Sequence, residues 1–294
     1  MRSPGTRAAA AFLLACCALL GRATPGTADA TWTTVAPGVT YRAFDVPGLK
    51  GPARVHLVAV DLRDPRVTVD LLTPGAVAAR APLSALADAR GAVAGVNGDF
   101  FHLTETQHPG VEATGAPVGP AIATGHALKA AVPTGQRFGP ALPPGTDTRE
   151  VLGVGVDRRA RLGRLTLDGT VSTPDGRLPL GGLDHPVLRA GTPLPGLDPR
   201  TATVRSAAGV ADGGRRLLLL ALDGAPAYRT GLTVAEVAAL LDQVGAEDGF
   251  SLDGGGSSTL VTRDPGAASV TVRNHPSGGA ERPVPNAVGI FSRR

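Results

Sequence analysis

Apolar runs too short for helices recur along the chain, and glycine-bearing polar segments follow them. Val55 to Leu62 and Val67 to Leu72 read as strands joined by a turn at Arg63-Asp64-Pro65. Ala92 to Val96 reads as a buried strand that runs into Asn97-Gly98-Asp99-Phe100-Phe101. Val151 to Val156, Leu162 to Leu167 and Thr170 to Thr173 are further strands, the last two joined by the hairpin signal Asp168-Gly169. Ala202 to Ala211 and Arg216 to Leu222 follow, the second with a leucine run that predicts burial on both faces. Phe250 to Leu252 is a short strand, and Val284 to Phe291 closes the chain. Pro283 and Pro285 at the start of that last strand point to a sheet edge, because proline cannot donate to a ladder.

The apolar period changes to that of a helix in two places. Pro82 to Arg90 has proline in its first turn and Gly91 after its last. Val234 to Val244 carries a stripe of Val237, Leu240, Leu241 and Val244, behind a capping box of Thr233 and Glu236. His102 to Pro120, residues 133–149 and Gly181 to Pro199 read as loops. With many strands, two clear helices and no internal repeat, the expectation is an α+β fold. It would be a single domain built on a twisted mixed β-sheet with a few flanking helices.

The amino terminus changes the picture. Arg2 and Arg7 precede an apolar stretch, Ala8 to Leu20, and Ala28-Asp29-Ala30 fits a small-x-small cleavage site. Residues 1–30 thus read as a signal peptide and residues 31–294 as the mature, secreted domain, with no later stretch apolar enough to span a membrane. Cys16 and Cys17 both lie inside the signal and neither follows a good lipobox. The mature chain has no cysteine, so no disulfide staples it.

Removing the first 30 residues lowers the net charge from +4 to +2. No basic stripe with interleaved aromatics remains, which argues against a nucleic-acid partner.

Three polar loops sit directly behind buried strands: Asn97-Gly98-Asp99, Asp223-Gly224 and Asp253-Gly254-Gly255-Gly256-Ser257-Ser258. Loops on rigid strands are where sites are built. Three consecutive glycines add no packing. They allow unusual backbone angles and close approach to a ligand, and their N–H groups can form an anion nest. Ser257 and Ser258 add donors, and Asp253 stands at the entrance. The same pattern also suits a plain glycine turn. Asp223 offers a second carboxylate, and glycoside hydrolysis usually needs two. Arg205 interrupts an apolar strand, where a charge must face solvent or an anion. Asn97, Arg282 and Asn286 are further polar candidates.

Other chemistries lack their signatures. There is no P-loop lysine and no G-x-S-x-G elbow. The six histidines show no zinc spacing. A divalent cation such as Ca²⁺ could sit among aspartates beside glycines, but no spacing specifies it.

Taken in order, these segments resemble the phosphodiester glycosidase family. The matching residues are Val96 to Phe101, Gly115-Ala116-Pro117-Val118-Gly119, Arg205 to Gly209, Asp223-Gly224, Leu252 to Thr259 and Arg282-Pro283-Val284-Pro285-Asn286. The resemblance covers roughly residues 55–292 and implies hydrolysis of a sugar-phosphate diester at its glycosidic C–O bond. It implies Asp253 and Asp223 as the catalytic pair. Asn97, Arg205, Gly254, Gly255, Gly256, Ser257, Ser258, Arg282 and Asn286 would hold phosphate or sugar. The substrate would be N-acetylglucosamine-1-phosphodiester or a cell-surface or exopolysaccharide glycan. The mammalian member has a second glycine where this chain has Asp99, so Asp99 is not the shared acid. Two other readings compete: a non-catalytic polysaccharide or cell-wall binder, which the 3% aromatic content disfavours, and a metal-dependent phosphodiesterase cleaving P–O.

Overall fold

A computed structural model describes residues 31–76, 79–101, 115–117, 121–123, 126–129, 148–154, 157–166, 171–172 and 186–293. The expected signal peptide and the expected Asp168-Gly169 turn lie outside them, as do His102, His108, Val118, Gly119 and His185. The chain begins with β1 (Thr33–Ala36), β2 (Val39–Gly48), β3 (Gly51–Asp61) and β4 (Val67–Leu72), followed by α1 (Leu83–Arg90) and β5 (Ala94–Asn97). Short strands β6 (Ala121–Ala123), β7 (His126–Lys129), β8 (Thr148–Val154), β9 (Ala160–Thr166) and β10 (Val171–Ser172) come next. Then follow β11 (Pro186–Arg189), β12 (Thr192–Pro193), β13 (Ser206–Ala211), β14 (Arg216–Leu222), α2 (Val234–Gln243) and β15 (Asp248–Ser251). The chain closes with β16 (Leu260–Thr262), β17 (Thr271–Val272) and β18 (Ala287–Ser292).

Two sheets dominate. One has the order β1-β2-β3-β14-β13-β15-β11-β12, the other β17-β16-β5-β18-β4. Their inner faces share one core: Val58, Leu219 and Phe250 of the larger sheet meet Leu71, Val96, Leu260 and Ile290 of the smaller. On the outer face of the larger sheet, Leu218, Leu220 and Leu222 pack under Val237, Leu240 and Leu241 of α2. The β14 leucine run is therefore buried on both faces, as its sequence predicts. Leu83, Leu86 and Ala87 of α1 cover Leu72, Val261 and Ala287 on the outer face of the smaller sheet. The layers run α2, sheet, sheet, α1.

The expected mixed sheet is corrected here: all strand pairings among the described residues are antiparallel. The strand–helix–strand order β14-α2-β15 suggests a parallel pair, and the two strands do run the same way. β13, however, lies between them and pairs antiparallel with both. The closing strand is also not an edge, because β18 sits between β5 and β4. Pro283 and Pro285 precede its first residue, so neither interrupts the ladder.

Both helices end as their sequences dictate. Thr233 and Glu236 form the capping box of α2, worth about 1 kcal/mol. Gly91 closes α1 in the left-handed conformation. No described helix is long and apolar enough to cross a membrane.

Candidate active site

The ladder of β13 sets the geometry. Leu222 N donates to Arg205 O and Leu252 N to Ser206 O, so β14 and β15 end at the same edge on either side of β13. Asp223 and Asp253 thus leave the sheet two strands apart, their backbones separated by roughly 10 Å at ordinary strand spacing. The smaller sheet brings β5 to the same edge, where Asp253 N donates to Gly98 O at 3.1 Å.

Asn97 ties these ends together. Its Nδ2 donates to the Asp253 carbonyl at 2.7 Å. Its Oδ1 accepts from Ser206 Oγ at 2.7 Å and from Thr259 N at 3.1 Å. Asn97 is fully buried, and its Nδ2 also lies 3.5 Å from Gly98 O. Asn286 performs a similar task one residue on: its Oδ1 accepts from Asp99 N and its backbone O from Gly98 N. A Cβ on Gly98 would lie 2.1 Å from Asn286 Oδ1, so only glycine fits. Phe101 then bridges Pro117, bringing the second matched segment onto the first.

The glycine loop forms a single 3₁₀ turn, Gly255–Ser257. Gly255 takes φ +58, the left-handed region that glycine enters freely. Gly255 N donates to Val204 O at 2.7 Å, and Asp253 Oδ1 accepts from Gly254 N at 2.9 Å. Arg282 lies over Gly256 and donates through Nη1 to Ser257 Oγ at 3.2 Å. Burial pushes the Asp253 carboxyl above its ordinary value, and the Ser257 hydroxyl, the Gly254 N–H and the Arg282 charge only partly offset this. Ser258 Oγ, Thr259 Oγ1 and Asn286 Nδ2 are buried without a partner among the described residues. Such groups are costly unless a ligand or water meets them.

Asp223 lives in a different environment. Oδ1 accepts from Ala225 N at 2.7 Å, and Oδ2 accepts from His275 N at 3.0 Å and lies 3.1 Å from His56 Nε2. Burial alone would raise this carboxyl, but the two amides and the histidine outweigh it and hold it below the ordinary value. Asn274, one residue before His275, donates to Leu222 O and Ser258 O and accepts from Leu260 N. It joins the Asp223 loop to the glycine loop.

The structure thus gathers Asn97, Asp223, Asp253, Gly254, Gly255, Gly256, Ser257, Ser258, Arg282 and Asn286 at one edge. Arg205 behaves otherwise. It stands just before β13, and its guanidinium donates to the carbonyls of Leu232 and Thr201. Its stem packs on Gly254. Sequence reasoning missed His56, Tyr41 and Asn274, which no local motif marks. Among the described residues no three His, Cys, Asp or Glu side chains converge on a metal position. No step of the proposed reaction is routed through a cation.

The fold recurs in solved structures at low identity. The catalytic domain of zebrafish N-acetylglucosamine-1-phosphodiester alpha-N-acetylglucosaminidase, auto-inhibited by its pro-peptide, gives a TM-score of 0.65 at 20% identity, over 90% of this chain and 87% of that one. A hypothetical protein from Synechocystis gives 0.59 at 18% identity over 87% of this chain, which spans 62% of that protein. A predicted exported protein of Burkholderia pseudomallei K96243 gives 0.54 at 18% identity, over 82% and 74%. No curated protein matches the chain significantly in sequence. The phosphodiester glycosidase profile matches residues 90–291, from the last residue of α1 into β18, and so takes in all three site loops. The chain belongs to the phosphodiester glycosidase family.

Proposed function

We propose that this chain is a secreted hydrolase that cleaves the glycosidic C–O bond of a sugar-phosphate diester. N-acetylglucosamine-1-phosphodiester or a phosphate-linked surface glycan would be its substrate. One observation carries the reading: a carboxyl with a raised pKa, Asp253, at the mouth of a three-glycine loop that Arg282 covers. The zebrafish enzyme of similar fold is named for that bond.

In this reading the Arg282 guanidinium over Gly256 grips the phosphate, while the Gly254 and Gly255 N–H groups, held by Asp253 Oδ1 and Val204 O, shape the loop beneath it. Ser258, Thr259 and Asn286, whose buried polar atoms have no partner among the described residues, meet sugar or phosphate oxygens. Asp253, whose burial favours the acid form, protonates the leaving phosphate oxygen. Asp223, kept ionised by its N–H donors, acts as the base toward water. Arg205 and Asn97 hold the frame beneath the loop.

The test is release of N-acetylglucosamine from a GlcNAc-1-phosphodiester by the mature chain, with Asp253→Asn as control. Turnover in ¹⁸O water places the label: in the sugar for C–O cleavage, in the phosphate for P–O cleavage. Label in phosphate overturns the glycosidase reading in favour of a phosphodiesterase. Binding of the diester without any turnover favours the binding-protein reading.

A further inference from the structure

Asp223 belongs to a buried chain of side chains that reaches two strands into the larger sheet. His56 on β3 is 4% exposed, and its Nε2 lies 3.1 Å from Asp223 Oδ2. Its Nδ1 lies 2.8 Å from the Tyr41 hydroxyl on β2. The two rings stack at 20° with centroids 6.2 Å apart. Tyr41 in turn lies under the Arg273 guanidinium, 5.3 Å from its centroid. Arg273 is tied to Asp264 and to Thr262 Oγ1.

The proton positions follow from the partners. An ionised carboxylate only accepts, so His56 must carry its proton on Nε2, and Nδ1 must then accept from the Tyr41 hydroxyl. The Asp223 carboxylate thereby selects the tautomer, and the Tyr41 hydroxyl, free to donate or accept, holds the ring by donating to Nδ1. The charged groups facing the ring are Asp223 just after β14, Arg54 from β3 and Arg273 from the segment after β17. Arg54 is itself paired with Asp45 of β2. Burial is the largest influence on His56, and with the two arginines it outweighs Asp223, so the ring stays neutral.

We infer that Tyr41 and His56 are positioning residues for Asp223. Tyr41 fixes the His56 ring by donating to Nδ1, and the Nε2–H that faces Asp223 holds its carboxylate ionised and in one rotamer, as the base of the proposed reaction requires. The inference rests on the base role given to Asp223 above. Its core, the control of the Asp223 carboxyl, can be measured without turnover.

Tyr41→Phe, His56→Gln and His56→Ala would be compared with wild type by two readouts, after thermal melting shows each variant folded. The first is the carboxyl pKa of Asp223, followed by ¹³C NMR and assigned through Asp223→Asn. The expected result is a rise in Tyr41→Phe, a larger rise in His56→Ala and partial recovery in His56→Gln, whose amide can still donate. The second is the rate profile. His56→Ala is expected to lower kcat about ten- to a hundredfold, the scale of losing one hydrogen bond to a charge. KM should barely move, and the acid limb should shift to higher pH. An unchanged Asp223 pKa in folded Tyr41→Phe and His56→Ala overturns the inference. A shifted pKa beside full activity in Asp223→Asn leaves the relay standing and removes the base role of Asp223 instead.

Discussion

The side-chain amide of Asn97 donates to the backbone carbonyl of Asp253 across 2.7 Å, linking the end of β5 in one sheet to the second residue after β15 in the other. The same Asn97 accepts from Ser206 and Thr259. The candidate acid is therefore aimed by a buried residue that need not touch substrate. Asn97→Ala would leave the Ser206 hydroxyl, the Thr259 N–H and the Asp253 carbonyl without this partner. The expected loss of stability is about 2–3 kcal/mol, read by urea unfolding, together with a drop in kcat. Wild-type stability in Asn97→Ala would show that the junction is held by something else.

Much of this site is written locally. The three loops behind buried strands, the Asp253 glycine run and the Thr233/Glu236 box each need only a few neighbouring residues to be recognised. What is missing from that reading is long-range. His56 is 167 residues from Asp223, and Asn274 is 52 residues from the Leu222 carbonyl it binds. No periodicity encodes such pairs. The insertion of β13 between β14 and β15 is likewise a matter of chain order in space, and it keeps two strands that run the same way from pairing in parallel. Arg205 reads from sequence as a charge in a strand. It falls one residue short of β13, where two carbonyls satisfy it.

Gly256 gives a test of the phosphate grip that spares the backbone. A Cβ there would lie 2.4 Å from Arg282 Nη2, the far end of a flexible side chain. Gly256→Ala should therefore fold normally but push the guanidinium off the loop. The expected effect is a KM raised about tenfold, the scale of one charge-assisted hydrogen bond, with a smaller change in kcat. Steady-state kinetics on a sugar phosphodiester, alongside Arg282→Lys, would check it. Equal KM values in Gly256→Ala and wild type would remove Arg282 from the phosphate site.

The two carboxyls predict the pH profile. Asp223 has its folded pKa lowered, so activity that needs its ionised form is lost as pH falls through that value. Asp253 has its pKa raised, so activity that needs its acid form is lost as pH rises through it. The kcat/KM profile should be a bell, with Asp223 setting its acid limb and Asp253 its alkaline limb. Arg282 lowers the Asp253 pKa, so Arg282→Met should move the alkaline limb to higher pH. A limb that stays put, or moves down, assigns it to another group.

The same shifts act on stability, with opposite signs. A lowered pKa means that the contribution of Asp223 is present above its unfolded value and lost as pH falls through the folded one. A raised pKa means that Asp253 contributes below its unfolded value and loses that contribution as pH rises through the folded one. Asp253→Asn should therefore melt higher than wild type at pH 7, with the difference vanishing toward pH 3. Calorimetry at both pH values reads this directly. A lower Tm for the variant at pH 7 would mean that ionised Asp253 is stabilised by its neighbours, not strained by burial.

Stereochemistry follows from the strand spacing. Glycosidases that retain configuration place their carboxyls about 5–5.5 Å apart, because one must attack the sugar directly. Those that invert keep them about 6.5–9.5 Å apart, leaving room for a water. Asp223 and Asp253 leave the sheet on either side of β13, which sets their backbones roughly 10 Å apart. Both Asp223 oxygens are committed to N–H donors, and one of them faces His56 on β3, on the side away from β13. A carboxylate held that way is poorly placed to form a bond to the anomeric carbon, but it can take a proton from water. Inversion is the expected outcome, visible by ¹H NMR as the opposite anomer in the first product formed. Retention, or a trapped glycosyl ester on either aspartate, would mean that the two side chains close the gap the backbone leaves, and that Asp223 is a nucleophile.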